Sequence, residues 1–159
     1  EKMPNNIGEF CVPLGVVEKT ANGDDITLVT YGSTWRVVME AVNLLNDVGI
    51  TCDVIDVQTL IPFDINHDIV ESVKHTNRLL IIDEDVPGGA SSYIMQQILE
   101  DQQAYKYLDS DPFTLTAKEH RPPYGKDGDY FTKPSREDVF EKVYSIMHEA
   151  DPSEYPEIY

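Results

Sequence analysis

The stretch from Leu79 to Gly89 constrains the fold more than any other part of this sequence. It begins with four consecutive apolar residues, Leu79–Ile82, and passes through three acids into a Pro-Gly-Gly turn. An uninterrupted apolar run that ends in this way is typical of a strand buried on both faces. Because such a strand needs cover on each side of its sheet, the sequence predicts a parallel α/β layer structure with Leu79–Ile82 well inside the sheet.

Two neighbouring segments have apolar residues near the 3.6-residue helical period, and we expect them to supply that cover. The first helix is predicted to be capped by Ser33 or Thr34 and to end near Gly49. The second is predicted to run from the Gly-Gly turn to about Tyr107. The residues expected to be buried are Val37, Ala41, Leu44, Leu45 and Val48 in the first helix and Ile94, Ile98 and Leu99 in the second.

Three further segments have the composition of strands: Ile26–Gly32, Cys52–Val57 and Phe113–Ala117. Asp64 is predicted to cap a short helix before the central strand, and Ser135 is predicted to cap a last helix. The residues expected to be buried are Ile65, Ile69, Val70 and Val73 in the short helix and Val139, Val143, Ile146 and Met147 in the last one. The alternation of strands and helices predicts right-handed crossovers between parallel strands.

The predicted elements divide the chain into three parts. Residues 1–11 are rich in turn-forming residues and indicate a linker or lead-in, and residues 12–148 form the predicted domain. Residues 149–159 form an acidic tail with four acids and no base, which is expected to have little to fold around. Within the domain, residues 119–133 are predicted to form a long surface loop of the kind that often contacts partners.

The charge of the chain narrows the range of its partners. The formal net charge is −17, which argues against nucleic acid or an anionic membrane and favours basic partners. No apolar run approaches the roughly 20 residues that span a bilayer, and no leader is recognisable, so a cytoplasmic location is expected. Cys11 and Cys52 are predicted to be small core residues, because each lies among apolar neighbours.

The sequence contains no recognisable catalytic, cofactor-binding or metal-binding constellation. The acids that follow Ile82 resemble the magnesium pocket of a phospho-acceptor domain, but no acid follows the strand that begins at Ile26. These acids are therefore expected to be solvated or to cap the next helix. Gly88 and Gly89 are interpreted as a structural turn, although a phosphate could lie there, and His120 is a weaker candidate for a functional side chain.

Several motifs, taken in order, resemble the carboxy-terminal transketolase-type domain, and especially that of the β subunit of thiamine-dependent 2-oxoacid dehydrogenases. The motifs are Val12–Gly15, Gly23–Gly32, Val54–Asp64, Val73–Arg78 and Glu84–Gly89. The resemblance extends from about Val12 to Met147 and includes the branched-chain (2-oxoisovalerate) and pyruvate enzymes. It implies a three-layer α/β/α sandwich with a mostly parallel, mixed sheet.

The resemblance also implies a function for the intact enzyme: thiamine diphosphate, held with magnesium, decarboxylates a 2-oxoacid, and the acyl group passes to a lipoyl arm. The motif Asp127–Asp129 is only superficially similar to the diphosphate-binding motif, and the activating glutamate lies in another domain of the family. The chain alone is therefore expected to be inactive and to bind neither thiamine diphosphate nor magnesium.

Assembly is the contribution that the resemblance implies for this domain. The expected partners are the thiamine-binding domains of the same chain or of an α subunit, in a homo-oligomer or heterotetramer. A second expected partner is the basic subunit-binding domain of the lipoyl acyltransferase core, for which Asp109 and Asp111 are the nearest positional matches. The loop from Arg121 to Lys133 and the acidic tail depart from the family pattern.

Two alternatives stay open at this point. One is a stand-alone, non-catalytic acidic binding module with a transketolase-like fold. The other is the equivalent domain of a transketolase or deoxyxylulose-phosphate synthase, which transfers two-carbon units.

Overall fold

The computed structural model describes residues 5–125 and 127–158, and a single five-stranded sheet lies at its centre. The strands are β1 (Glu18–Ala21), β2 (Ile26–Thr30), β3 (Cys52–Asp56), β4 (Leu79–Ile82) and β5 (Phe113–Leu115). Their order across the sheet is β1-β3-β2-β4-β5. The pairs β2–β3, β2–β4 and β4–β5 are parallel, whereas β1 is antiparallel to β3.

Five α-helices accompany the sheet in the described part of the chain. They are α1 (Thr34–Asp47), α2 (Asp68–Thr76), α3 (Ala90–Gln96), α4 (Gly128–Thr132) and α5 (Arg136–Ala150). A π-helical turn, Gln97–Asp101, continues α3 directly, and a 3-10 turn, Ala104–Tyr107, follows it.

The strand β4 divides the core into two layers, because its consecutive side chains point to opposite faces of the sheet. Leu80 and Ile82 pack with apolar residues of α1 and α5. Leu79 and Ile81 pack on the other face with apolar residues of α2 and α3. All four β4 side chains are fully buried or nearly so. The predicted central strand and the three-layer α/β/α fold with a mixed sheet are therefore confirmed.

The edge strand β1 was not predicted from the sequence. Its sequence, Glu-Lys-Thr-Ala, is polar, and its residues are exposed or half-buried. An edge strand pairs on one side only and needs little apolar surface, so β propensity and alternation do not reveal it. The predicted strand Phe113–Ala117 is also shorter than expected, because β5 ends at Leu115.

The buried face of α1 differs from the prediction. Leu44 and Val48 are 37% and 44% exposed, whereas Val38 and Val42 are buried. Both sets follow helical spacing, so periodicity alone did not identify the stripe that meets the sheet. Ser33 is the residue before α1, but its side chain makes no capping hydrogen bond.

The helix α2 begins three residues later than the motif suggested. His67, not Asp64, is its N-cap residue, and Ile65 precedes the helix and is 56% exposed. Asp64 nevertheless binds the helix start, because its carboxylate accepts hydrogen bonds from the backbone N–H groups of Asp68 and Ile69, each at 3.0 Å.

The single helix predicted to run to about Tyr107 is interrupted. The π-helical turn ends at Asp101, and Gln103 has a φ of +56° before the 3-10 turn begins. Ile94 and Ile98 are buried as predicted, and Leu99 is partly buried.

The carboxyl-terminal part of the chain contains one confirmed and one wrong prediction. Ser135 caps α5 through a capping box with Asp138, as the sequence predicts. The tail, however, folds back on α5: Tyr155 is 7% exposed and joins the core. The Tyr155 carbonyl lies 2.7 Å from His148 Nδ1, and Tyr144 donates a hydrogen bond to the Pro156 carbonyl at 2.8 Å. The prediction was based on the acidic composition of the tail and did not consider that one large side chain, Tyr155, could anchor the segment in the core.

The two cysteines differ in their surroundings. Cys52 is buried as predicted, and burial raises the pKa of its thiol to about 12, with smaller contributions from Asp25 and Asp53. Cys11 is exposed, so the prediction of a core position is wrong for it. No helix in the described residues is long and apolar enough to cross a membrane.

Candidate functional sites at the two ends of the parallel strands

A buried carboxylate lies where the strands β2 and β4 end side by side, the end at which parallel sheets usually bind ligands. Asp83 is fully buried and accepts hydrogen bonds from the Tyr31 hydroxyl at 2.7 Å and from the backbone N–H groups of Asp85 and Ser91 at 3.0 and 2.8 Å. Burial, followed by the hydrogen bond to Asp83, raises the pKa of Tyr31. Asp83 therefore ties the ends of two strands to the start of α3.

Glu84, the next residue, links three elements at the surface. Its Oε2 atom accepts hydrogen bonds from Ser33 Oγ at 2.8 Å and from Lys133 Nζ at 3.0 Å. Lys133 first and Ser33 second lower the pKa of the Glu84 carboxyl group, and the same contact raises the pKa of Lys133. The start of α1, the end of β4 and the residue after α4 are thereby joined.

The Gly-Gly turn follows these acids and leads into α3. Gly88 has a φ of +90°, which L side chains rarely adopt. A Cβ atom on Gly89 would overlap the carboxylate of Asp85. The turn therefore favours glycine at both positions, at Gly88 because of its φ angle and at Gly89 because of the close approach of Asp85.

The remaining candidates for chemistry are dispersed. In the described ranges, no group of three or more His, Cys, Asp and Glu side chains is arranged to hold a metal ion. Asp127–Asp129 lies at the start of α4, not after a strand. His120 makes a local contact of 2.9 Å between Nδ1 and the Arg121 carbonyl, and its ring lies against Phe131. The cited contacts of Asp83, Glu84 and His120 all stay within the domain.

The opposite, amino end of the strands carries the predicted docking residues. Arg78 Nη2 binds Asp109 Oδ2 at 2.9 Å and Arg78 Nη1 binds the Asp25 carbonyl at 3.2 Å. Asp111, two residues further along, is exposed. Part of the Asp109 charge is thus already balanced within the domain.

Further acids lie near Arg78 at this end of the sheet. We call this surface the acidic edge, and its members are Asp24, Asp25, Asp109 and Asp111. Two basic groups pair with it, since His75 Nε2 lies 2.7 Å from Asp24 and Arg78 binds Asp109.

Comparison with known families identifies the domain. The family model described as "Transketolase, C-terminal domain" matches residues 15–139. The chain belongs to the transketolase C-terminal domain family. The resemblance recognised in the sequence motifs is therefore confirmed.

The transketolase C-terminal domain described here is similar to part of longer proteins. It is 31% identical over 138 residues to the pyruvate dehydrogenase E1 component subunit beta of Rickettsia bellii, covering 86% of this chain and 42% of that protein. It is 38% identical over 103 residues to the mitochondrial 2-oxoisovalerate dehydrogenase subunit beta of Dictyostelium discoideum, covering 63% of this chain and 27% of that protein. The chain thus spans less than half of each relative.

A solved structure has the same fold. A split gene transketolase, described as an inactive beta4 tetramer, superposes with a TM-score of 0.69 at 21% identity, over 87% of this chain and 43% of that one. At this identity the likeness establishes the fold of the transketolase C-terminal domain and nothing further.

The residue pattern of this transketolase C-terminal domain did not reveal Tyr31, Ser33 and Lys133 as partners of the acids after β4. Lys133 and Glu84 are 49 residues apart in sequence. The register of β2 against β4 decides that Tyr31 lies beside Asp83, and no local signal encodes that register. The only hint was that polar residues follow both strands.

Replacing Lys133 tests the Glu84 contact. We expect Lys133→Met to raise the pKa of Glu84 towards its ordinary value of about 4.3, as measured by NMR titration of the side-chain carboxyl. A lowered folded-state pKa stabilises the protein above the unfolded pKa, and this stabilisation is lost as pH falls through the folded pKa. The variant should therefore be less stable by about 0.5 kcal/mol at pH 7, after allowance for solvent screening, and equal to the parent at acid pH.

The matched control is Lys106→Met, which removes the same charge from a lysine that does not contact Glu84. A Glu84 titration curve that is identical in the Lys133 variant and in the parent protein would show that the contact does not exist in solution.

Proposed function

We propose that this chain is the C-terminal assembly domain of the thiamine diphosphate-dependent decarboxylating component of a 2-oxoacid dehydrogenase complex. The observation that carries the proposal is the similarity, over 86% of the chain, to a pyruvate dehydrogenase subunit beta. We propose 2-oxoisovalerate as the substrate, supported by the 38% identity to the Dictyostelium subunit over 103 residues. Pyruvate is the competing substrate.

Thiamine diphosphate and magnesium do not fit the described residues. A magnesium ion bound to a diphosphate prefers several oxygen ligands, often carboxylates. In residues 5–125 and 127–158 no carboxylate cluster has that arrangement. The motif Asp127–Asp129 lies at the start of α4 and does not follow a strand, unlike the diphosphate-binding motif that it resembles. We therefore propose that the cofactor ligands belong to the rest of the enzyme and that this chain alone is inactive.

The acidic edge is our proposed docking surface for the basic subunit-binding domain of a lipoyl acyltransferase. The chain carries 29 acids against 12 basic residues, so a basic partner is attracted from a distance. Asp109 and Asp111 precede β5, which is parallel to β4, so they lie at the amino end of the parallel strands. Docking would place a second cation beside Asp109, which already holds Arg78.

Calorimetric titration with that basic domain tests the docking surface. We expect Asp109→Ala combined with Asp111→Ala to weaken binding about 10-fold at low salt, because two carboxylates are lost and Arg78 is left as an unpaired cation facing the partner. Of the two single variants, Asp109→Ala should have the larger effect, because Asp109 pairs with Arg78. The difference should shrink as salt is added.

The matched control is Glu100→Ala with Asp101→Ala, which removes the same charge from the end of the π-helical turn. Unchanged affinity in the Asp109 and Asp111 variant, or an equal loss in the control, would reject the acidic edge as the docking surface.

The enzymatic part of the proposal is tested with the complete parent enzyme. We expect decarboxylation of 2-oxoisovalerate that depends on added thiamine diphosphate and is followed by reduction of an artificial electron acceptor. A preference for pyruvate would correct the substrate. Two-carbon transfer between sugar phosphates would favour the transketolase alternative, and no reaction with either class would leave a stand-alone binding module.

A cytoplasmic location is also part of the proposal. The name of the Dictyostelium relative describes it as mitochondrial, so the compartment has to be decided by imaging the tagged full-length protein. Oligomers with α subunits or with further copies of this chain are proposed as well, and sedimentation of the complete enzyme measures them.

A further inference from the structure

Two uncharged segments of the chain pack against each other at one place on the surface. Residues 10–17 contain no charged residue, and residues 58–67 contain only Asp64, which is buried, and His67. The Gly15 N–H donates to Thr59 Oγ1 at 2.6 Å, and the Ile65 N–H donates to the Gly15 carbonyl at 2.8 Å. In a chain of which 26% is charged, this absence of charge marks a distinct surface.

Large apolar side chains are exposed along both segments. Ile61 is 82% exposed, Leu14 71% and Ile65 56%. Their proximity is clear at Gly15, where an added Cβ atom would lie 2.8 Å from Pro62 Cγ and 2.9 Å from Ile65 Cγ2. We call this surface the apolar patch; it comprises Leu14, Ile61, Pro62 and Ile65 and continues along the chain to Val12 and Phe10. Scattered apolar residues are common on surfaces, but a contiguous group marks an interaction site.

The loop that presents the apolar patch is held in one shape. Gln58, Asp64 and His67 have φ values of +57°, +31° and +61°, which non-glycine residues adopt only when their surroundings hold them there. The buried Asp64 carboxylate provides such support, since it binds the start of α2 and accepts a hydrogen bond from Gln102 Nε2 at 3.0 Å. The exposure of Ile61 is therefore a property of a fixed loop.

The length of the relatives indicates what covers the patch. The chain corresponds to 42% of the Rickettsia subunit, and its family is defined as a C-terminal domain. Residues 10–14, which lead into the domain, are themselves part of the patch, so the portion of a longer chain that precedes them is held close to it by the covalent chain. A second copy of this chain is the competing occupant of the patch, and the dilution experiment described below distinguishes it from the preceding part of the parent chain.

We infer that the apolar patch is the surface on which the preceding part of the parent enzyme chain packs, through an uncharged face of aliphatic and aromatic side chains. This inference rests on the proposed function, which supplies the longer parent chain. It assigns different chemistry to two surfaces of the domain: a permanent apolar contact at the patch and a salt-dependent contact at the acidic edge.

Protection of the patch in the full-length parent enzyme is the test. We expect hydrogen exchange at residues 10–15 and 58–66, and alkylation of the exposed Cys11 read by mass spectrometry, to be at least 10-fold slower than in the isolated 159-residue chain. Cys52, which is buried, is the internal reference. Leu14→Asp with Ile61→Asp in the full-length enzyme should restore fast alkylation of Cys11.

The control variant is Tyr105→Asp, which places an acid at a side chain that is 71% exposed and outside the patch. Equal protection in the two wild-type proteins, a result that needs no variant, would overturn the inference. Loss of protection on dilution to monomers would also overturn it, because that result would identify a second copy as the occupant.

Decarboxylation assayed on the same sample separates this inference from the proposed function. Activity with an unprotected patch rejects only the inference, and protection without activity rejects only the proposed function.

Discussion

Asp83→Ala is expected to lower the free energy of unfolding by about 3 kcal/mol. The carboxylate is fully buried and accepts three hydrogen bonds, from Tyr31, Asp85 and Ser91. Its removal leaves the three donors without their acceptor in a space that an alanine does not fill. An unsatisfied buried donor costs about 1–3 kcal/mol, and partial hydration reduces the total.

Urea unfolding followed by circular dichroism measures this loss. Asp83→Asn should fall between the parent protein and the alanine variant, since its amide oxygen still accepts while its NH₂ group faces a donor. The control is Asp85→Asn, which changes a neighbouring, exposed acid and keeps an acceptor for the Val86 N–H. If Asp83→Ala unfolds within 0.5 kcal/mol of the control, as surface substitutions usually do, the buried network does not hold the two strand ends together.

Tyr155→Ala should destabilise the domain by about 3 kcal/mol, the range observed for removing a large core aromatic. The ring packs edge-on against Tyr144 with ring centroids 6.2 Å apart, within the range of about 4.5–7 Å that aromatic pairs prefer. The carbonyl of the same residue lies 2.7 Å from His148 Nδ1. Loss of the ring would release the tail from α5 and expose the apolar surface beneath it.

Thermal unfolding compares this variant with Tyr155→Phe, which keeps the ring and removes only the hydroxyl. We expect Tyr155→Phe to remain within about 0.5 kcal/mol of the parent protein. A chain that ends at Ala150 should be as unstable as the alanine variant. If the shortened chain melted at the parent temperature, the tail would not be part of the folded domain.

The sequence predicted the parts of the fold that depend on strong local patterns. Leu79–Ile82 was recognisable because a doubly covered strand must be apolar throughout, and Ser135 because a capping box is a local motif. The parts that were missed depend on partners that are distant in the chain. The face of α1 was ambiguous, since Val38 and Leu44 belong to two stripes that both fit helical spacing.

The candidate sites also combine features that local sequence patterns predict with features that depend on residues distant in the chain. Asp83 was expected to be solvated or to cap the following helix, and it does bind the first turn of α3. Its burial and its bond to Tyr31 depend on the register between β2 and β4, which local patterns do not specify. Asp109 came from family resemblance, and its internal partner Arg78 became visible only in three dimensions.

The alternation of side chains along β4 has a consequence for how the molecule comes apart. Leu79 and Ile81 pack in one core layer, and Leu80 and Ile82 pack in the other. Both halves of the interior therefore share a single four-residue segment. Neither half can melt and leave the other intact, because the shared segment would lose its support on one side. The domain therefore has two hydrophobic interiors but a single cooperative unit, and its most slowly exchanging amides should be those of this strand.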